Sequence, residues 1–196
     1  MFRPGRRRGL VACLLCLLAL LAAPALAADL VVFPDGWATL AGQTYRCALG
    51  RSGIRIDKRE GDGATPAGGF ALRRVLYRPD RLASAPSSGL PVGPISPDDG
   101  WCDDPASPLY NRQVKLPFAP SHEELWRGDG LYDLIVVVGY NDDPVTPGLG
   151  SAIFLHIARE GYAPTAGCLA FSRRDLLEIV GKLEAGARVV IQPPGL

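Results

Sequence analysis

The chain has 196 residues, 47% of them hydrophobic and 21% charged, with a formal net charge of +1. That length, less an N-terminal export segment, leaves room for one domain with a full core. Residues 1–27 hold four arginines and no acid, so the remainder keeps 17 of the 21 basic residues against 20 acidic ones. A balance of −3 argues against a general nucleic-acid binder, which would carry a basic patch.

The first element in chain order is an export signal. Arg6-Arg7-Arg8 forms a positive region, residues 10–21 an apolar core, and Ala25-Leu26-Ala27 a small-x-small cleavage site. The reading is a secretory signal peptide over residues 1–27, cut after Ala27, with residues 28–196 as a single domain. The apolar core is too short to favour a spanning helix. A retained anchor is the alternative, and membrane attachment is expected only through it. The protein is expected to be exported, to the periplasm or cell envelope.

Residues 30–33 and 37–40 read as a hairpin about Pro34-Asp35-Gly36. Residues 43–49 and 54–58 read as a second hairpin, joined through residues 50–53. Residues 58–69 form a glycine-rich connection. It lacks both GxGxxG and a P-loop lysine, and no helix follows, so it is read as a turn rather than a phosphate cradle. Residues 70–78 resume a strand. Residues 81–108 are rich in Pro, Ser, Gly and Asp and lack periodicity, the mark of a functional or disordered loop, although Trp101 suggests local packing. Ser121 and Glu124 have capping-box spacing, which predicts a short middle helix over residues 121–126. Residues 131–140 contain four consecutive β-branched residues, Ile135 to Val138, the pattern of a buried strand. Residues 151–157 alternate as a strand with His156 near its end. Residues 159–167 turn, and Cys168 leads into another short apolar run. Ser172 and Asp175 cap a late helix carrying Leu176, Leu177, Val180 and Leu183, which Gly186 closes. Residues 187–191 form the last strand. The sum is a mostly β domain, a sandwich or partly closed barrel with one late helix and a short middle helix.

Reactive residues are few. With only two histidines, and neither CxxC nor HxxxH spacing outside the export signal, no metal site is expected. The adjacent acids Asp103-Asp104 and Asp142-Asp143 lie on loops, where such pairs are usually solvated. No GxSxG elbow is present. What remains is a cysteine nucleophile with a histidine base. His156 is favoured over His122 because it stands at a strand end close to Cys168 in sequence. Outside the export signal there are three cysteines, Cys47, Cys102 and Cys168. One pair plus one free thiol is expected in an oxidising compartment. If Cys168 is the nucleophile it must stay reduced, which leaves Cys47 and Cys102 as the disulfide.

Two segments carry a resemblance. His156, a loop, then Thr165-Ala166-Gly167-Cys168-Leu169, a helix and a terminal strand resemble the YkuD-type L,D-transpeptidase catalytic domain of the ErfK/YbiS/YcfS/YnhG-like kind. So does Glu60-Gly61-Asp62-Gly63-Ala64-Thr65-Pro66-Ala67-Gly68, about a hundred residues upstream in the right order. Two positions depart from the family's pattern. Ala166 replaces a His beside the Gly-Cys pair, removing a polar neighbour of the thiolate, and Ala170 replaces an Asn or Arg.

The resemblance implies a transferase of cell-wall and cell-shape biology acting on peptidoglycan stem tetrapeptides. Cys168 would form a thioester, His156 serve as general base and acid, and the backbone N–H of Gly167 help bind the oxyanion. The product would be a cross-link or a wall attachment. Two alternatives stand beside this reading: a carboxypeptidase or D-amino acid exchange enzyme with the same nucleophile, and a non-catalytic cell-wall-binding domain. Tyr110, Asn111, Tyr140, Asn141 and Arg159 are the candidate substrate-binding residues. Metals and organic cofactors are not expected, and the sequence sets no oligomeric state.

Overall fold

Strand-forming runs dominate a computed structural model that describes residues 28–195, so the export-signal assignment to residues 1–27 lies outside the described residues. The strands are β1 (Leu30–Val32), β2 (Trp37–Leu40), β3 (Gln43–Arg46), β4 (Ile54–Arg55), β5 (Thr65–Pro66), β6 (Gly68–Tyr77), β7 (Val92–Pro94), β8 (Asp99–Cys102), β9 (Gln113–Lys115), β10 (His122–Glu124), β11 (Leu134–Val138), β12 (Phe154–Ile157), β13 (Leu169–Phe171) and β14 (Arg188–Ile191). The helix α1 (Arg173–Lys182) lies between β13 and β14.

The main sheet runs β13-β12-β11-β6-β14-β1-β2-β3, with β7 added against β6. Ala48, just beyond β3, exchanges two backbone hydrogen bonds with Ala170 of β13, at 2.8 and 2.9 Å. This pair joins the two ends of the sheet into a nearly closed barrel. A second sheet, β10-β8-β9, is antiparallel throughout.

Alternation along the central strands separates two cores. Leu134, Val136 and Val138 of β11, with Leu155, Ile157, Leu169 and Phe171, pack on Leu176, Ile179 and Val180 of α1. Ile135 and Val137, with Phe154 and Cys168, pack on Trp101 and Leu125 from the region of the second sheet. Strand β11 is therefore buried on both faces, which accounts for its unbroken run of β-branched residues. Helix α1 starts where its cap is read: Ser172 Oγ accepts the Asp175 N–H at 3.0 Å.

Two local expectations are corrected. Residues 121–126 are not a helix. His122–Glu124 forms β10, in register with β8 from Cys102 to Gly100. The capping pattern is present, but six residues followed by Gly128 and Gly130 are too short to propagate a helix, and pairing with β8 satisfies the same backbone groups. Residues 43–49 and 54–58 are not a hairpin either. Strand β3 pairs with β2, while β4 pairs in parallel with β5. Gly50 turns away because its N–H donates to Thr65 Oγ1 at 2.9 Å.

Candidate active site

Parallel pairing of β12 and β13 aligns Leu155 with Leu169 and His156 with Ala170. Cys168 therefore stands opposite Phe154, and the Phe154 N–H reaches Cys168 Sγ at 3.4 Å. In-register residues of neighbouring strands share a face, so Cys168 and His156 both project away from the α1 core. Both line one cleft of about 740 Å³.

The turn before Cys168 is held from within. Thr165 Oγ1 donates to the Cys168 carbonyl at 2.7 Å and accepts the Gly167 N–H at 3.1 Å. Gly167 has φ +142, and a Cβ there would sit 2.8 Å from the Ala64 carbonyl oxygen. Only glycine fits. This close approach brings the two sequence motifs into direct contact. In the upstream one, the Asp62 carboxylate accepts from Lys58 Nζ (2.9 Å), Arg59 N (2.7 Å) and Ala64 N (2.8 Å), which fixes the loop against which Gly167 rests.

The thiol and the imidazole are both neutral at rest. Cys168 Sγ–H donates to the Ala152 carbonyl at 3.2 Å, and burial pushes the thiol up to about 12. Burial also lowers His156 to about 4. Its Nδ1 lies 2.8 Å from the Ile157 carbonyl oxygen, which can only accept, so Nδ1 carries the hydrogen and Nε2 is the free base. The Tyr132 ring meets the imidazole edge-on at 5.3 Å, and the Tyr132 hydroxyl donates to Glu123 Oε1 at 2.6 Å. His122, on β10, also lines the cleft; its Nδ1 lies against the Pro120 carbonyl at 2.8 Å.

The other sequence-predicted residues divide. Arg159 is exposed on the cleft rim. Tyr110, Asn111, Tyr140 and Asn141 are not among the residues lining it. Their side chains are used internally. Tyr110 donates to Glu60 and accepts the Gly150 N–H at 3.0 Å. The Asn111 amide donates to the Tyr140 and Asn141 carbonyls at 3.0 and 2.8 Å, and its Oδ1 accepts from Trp101 Nε1 at 2.9 Å and Ala152 N at 3.1 Å. Tyr140 donates to the Leu149 carbonyl at 2.6 Å, and Asn141 ties Thr146 and Gly150 together. These four brace the loop that presents Ala152 to the thiol. The Gly167 N–H, expected to face the oxyanion, is held by Thr165. The expected disulfide is absent: Cys47 belongs to the α1-side core and Cys102 to β8, and both are buried and free.

Sequence reasoning missed Glu123, Tyr132, Lys58, Glu60 and Ser151, all of which line the cleft. Lys58 and Glu60 lay inside the glycine-rich connection of residues 58–69, and Glu60 also inside the motif that carries the resemblance. The Glu60 carboxylate accepts from Ser151 Oγ at 2.6 Å. Among the described residues, no group of three or more His, Cys, Asp or Glu is arranged to hold a metal ion. Nor is any helix there long and apolar enough to cross a membrane.

The YkuD model, the L,D-transpeptidase catalytic domain, matches residues 26–191. The chain belongs to this family. Its solved neighbours are distant. Among them are L,D-transpeptidase 3 from Mycobacterium tuberculosis (12% identity, 85% of this chain and 61% of that one, TM-score 0.43) and an L,D-transpeptidase from Mycobacterium smegmatis (14%, 85% and 59%, TM-score 0.41). Another is the helical cell shape determining protein Pgp2 from Campylobacter jejuni (15%, 87% and 49%, TM-score 0.40). The chain thus spans about half to three fifths of the length of these neighbours. A comparison with curated proteins yields no match.

Proposed function

We propose that this L,D-transpeptidase-family chain is an exported cysteine acyltransferase of peptidoglycan, with residues 28–196 as its catalytic domain. The observation that carries this is the placement of Cys168 and His156 on one face of paired strands, lining one cleft, with Nε2 of His156 free to act as base. Cys168 Sγ attacks the carbonyl carbon of an L-centre joined to a terminal D-residue in a stem tetrapeptide. As the C–S bond forms, the thiol proton leaves the Ala152 carbonyl and passes to His156 Nε2. The N–H of Cys168 itself is the remaining backbone donor for the oxyanion. The C–N bond then breaks, His156 returns its proton to the departing amine, and a thioester remains. An incoming amine resolves it.

Burial favours this order of events. A preformed thiolate–imidazolium pair is opposed by desolvation at both residues, so proton transfer accompanies attack. Arg159 is a candidate partner for a substrate carboxylate.

The test is the intact mass of the protein after incubation with a carbapenem, a β-lactam that mimics the acyl donor. An adduct on the parent, lost in Cys168→Ala and slowed in His156→Ala, supports the nucleophile and its base. A reduced, folded parent that takes no adduct and converts no stem tetrapeptide would instead leave a wall-binding domain.

A further inference from the structure

In an acyl transfer through a single base, the departing amine and the entering amine pass the same imidazole. The acceptor therefore approaches along the wall beside His156. In this protein that wall carries the carboxylates of Glu123 and Asp103 alongside Arg127, which lies over the Tyr132 ring at 5.1 Å. Tyr132 lies edge-on to His156 at 5.3 Å, and its hydroxyl is bonded to Glu123 Oε1 at 2.6 Å. Arg127 Nη1 approaches that same oxygen no closer than 3.7 Å. Glu123 Oε2 takes no hydrogen bond among the described residues, and the side chain, 28% exposed, borders the cleft. Asp103 lines the cleft as well, and its Oδ1 is buried without a hydrogen-bond partner. A buried acceptor left unpaired is costly, and a cation entering the cleft would relieve it. The cleft's guanidinium groups without an ion pair among the described residues, Arg51 and Arg159, come from elements other than the β8–β10 sheet.

We propose that Glu123, supported by Asp103, selects an ammonium-bearing acceptor over water when the Cys168 thioester is resolved. This deepens the acyltransferase reading and rests on it. The acceptor class is a primary amine protonated in solution, such as the side chain of a diamino acid. Glu123 Oε2 pairs with the ammonium and then accepts an N–H from the free amine. One ammonium proton leaves to solvent. The nitrogen bonds to the thioester carbon, and His156 Nε2 takes a second proton from it. The C–S bond breaks, and His156 passes that proton to Sγ. Thioester and ammonium thus yield amide, thiol and one released proton. Water offers no positive charge to Glu123 and gains nothing from it.

The experiment measures the ratio of transfer to hydrolysis on the full-length chain, with a stem tetrapeptide as donor and a diamino-acid-containing tetrapeptide as acceptor. The ratio is read on thioester already formed, so slower acylation does not enter it. Glu123→Gln is expected to lower the ratio about tenfold, equivalent to about 1.4 kcal/mol, and Asp103→Asn to lower it less. A ratio within twofold of the parent in Glu123→Gln overturns the assignment. A parent that forms no thioester overturns the acyltransferase reading itself. The parent also provides a test that needs no variant. Raising salt shortens the Debye length from about 8 to about 3 Å, which should depress transfer to the ammonium acceptor but spare hydroxylamine, which is uncharged at neutral pH. Equal salt dependence for the two nucleophiles likewise overturns the proposal.

Discussion

Replacing Asn111 probes how the loop beneath the thiol is held. Asn111 has φ +56, and its amide makes four hydrogen bonds, one of them to the N–H of Ala152, whose carbonyl accepts the Cys168 thiol. Asn111→Ala leaves the Trp101 Nε1–H and the Ala152 N–H without acceptors. Each such loss costs about 1–3 kcal/mol, and alanine adds about 1 kcal/mol of left-handed strain. The sum is about 3–7 kcal/mol, a fall in Tm of at least about 6 °C for a chain of this size. Asn111→Gly removes the strain alone and should recover about 1 kcal/mol. Asn111→Asp keeps both acceptor bonds but turns an oxygen toward two carbonyls. It should lose stability yet acylate with carbapenem at nearly the parental rate per folded molecule, whereas Ala and Gly acylate more slowly. Calorimetry and timed intact-mass spectra measure the two effects. An alanine variant within 1 kcal/mol of the parent (a threshold set by the low end of the bond cost) and acylating normally would refute the reasoning.

Other outcomes follow from the same geometry. Because burial holds His156 at about 4 against its ordinary 6.5, the acid limb of acylation should fall well below pH 6.5 and approach 4. The unfolded chain takes up that proton first, so stability should drop as pH falls from 6.5 to 4, by up to roughly 3 kcal/mol. Urea titrations of His156→Gln should show a flatter dependence in that window. Gly167→Ala places a Cβ against the Ala64 carbonyl and should abolish carbapenem labelling even where circular dichroism shows the fold retained. Asp62→Asn strands the Lys58 ammonium, whose side chain is 3% exposed, and should cost about 3–5 kcal/mol in denaturant midpoints. The Lys58→Met/Asp62→Leu pair should recover part of that loss.

Much of the site was legible because its signals are local. The Thr-Ala-Gly-Cys turn, the strand-end histidine and the helix cap at Ser172 each rest on residues within a few positions of one another, where backbone sterics and capping chemistry act. Residues 58–69 were readable as a turn for the same reason: the Asp62 carboxylate bonds only to Lys58, Arg59 and Ala64. The strands at residues 134–138 and 154–157 were equally plain.

What only the tertiary structure decided involves groups distant in sequence. Residues 121–126 carry a local helix signal, but β8 pairs with them and wins, because ladder hydrogen bonds and burial of Leu125 outweigh a single capping box. Tyr110, Asn111, Tyr140 and Asn141 look like cleft residues from their loops. They are support because their partners lie from 5 to 50 residues away. Glu123 and Tyr132 gave no signal, since an acid and a tyrosine acquire meaning only beside His156. Chain-local chemistry thus determined where the thiol and the imidazole stand and how the backbone turns beside them. Folding determined what surrounds them: the burial that keeps thiol and imidazole neutral, and the Glu123 and Asp103 carboxylates brought to the same cleft. Desolvation and long-range pairing depend on the whole packed molecule and leave no periodic trace in the sequence.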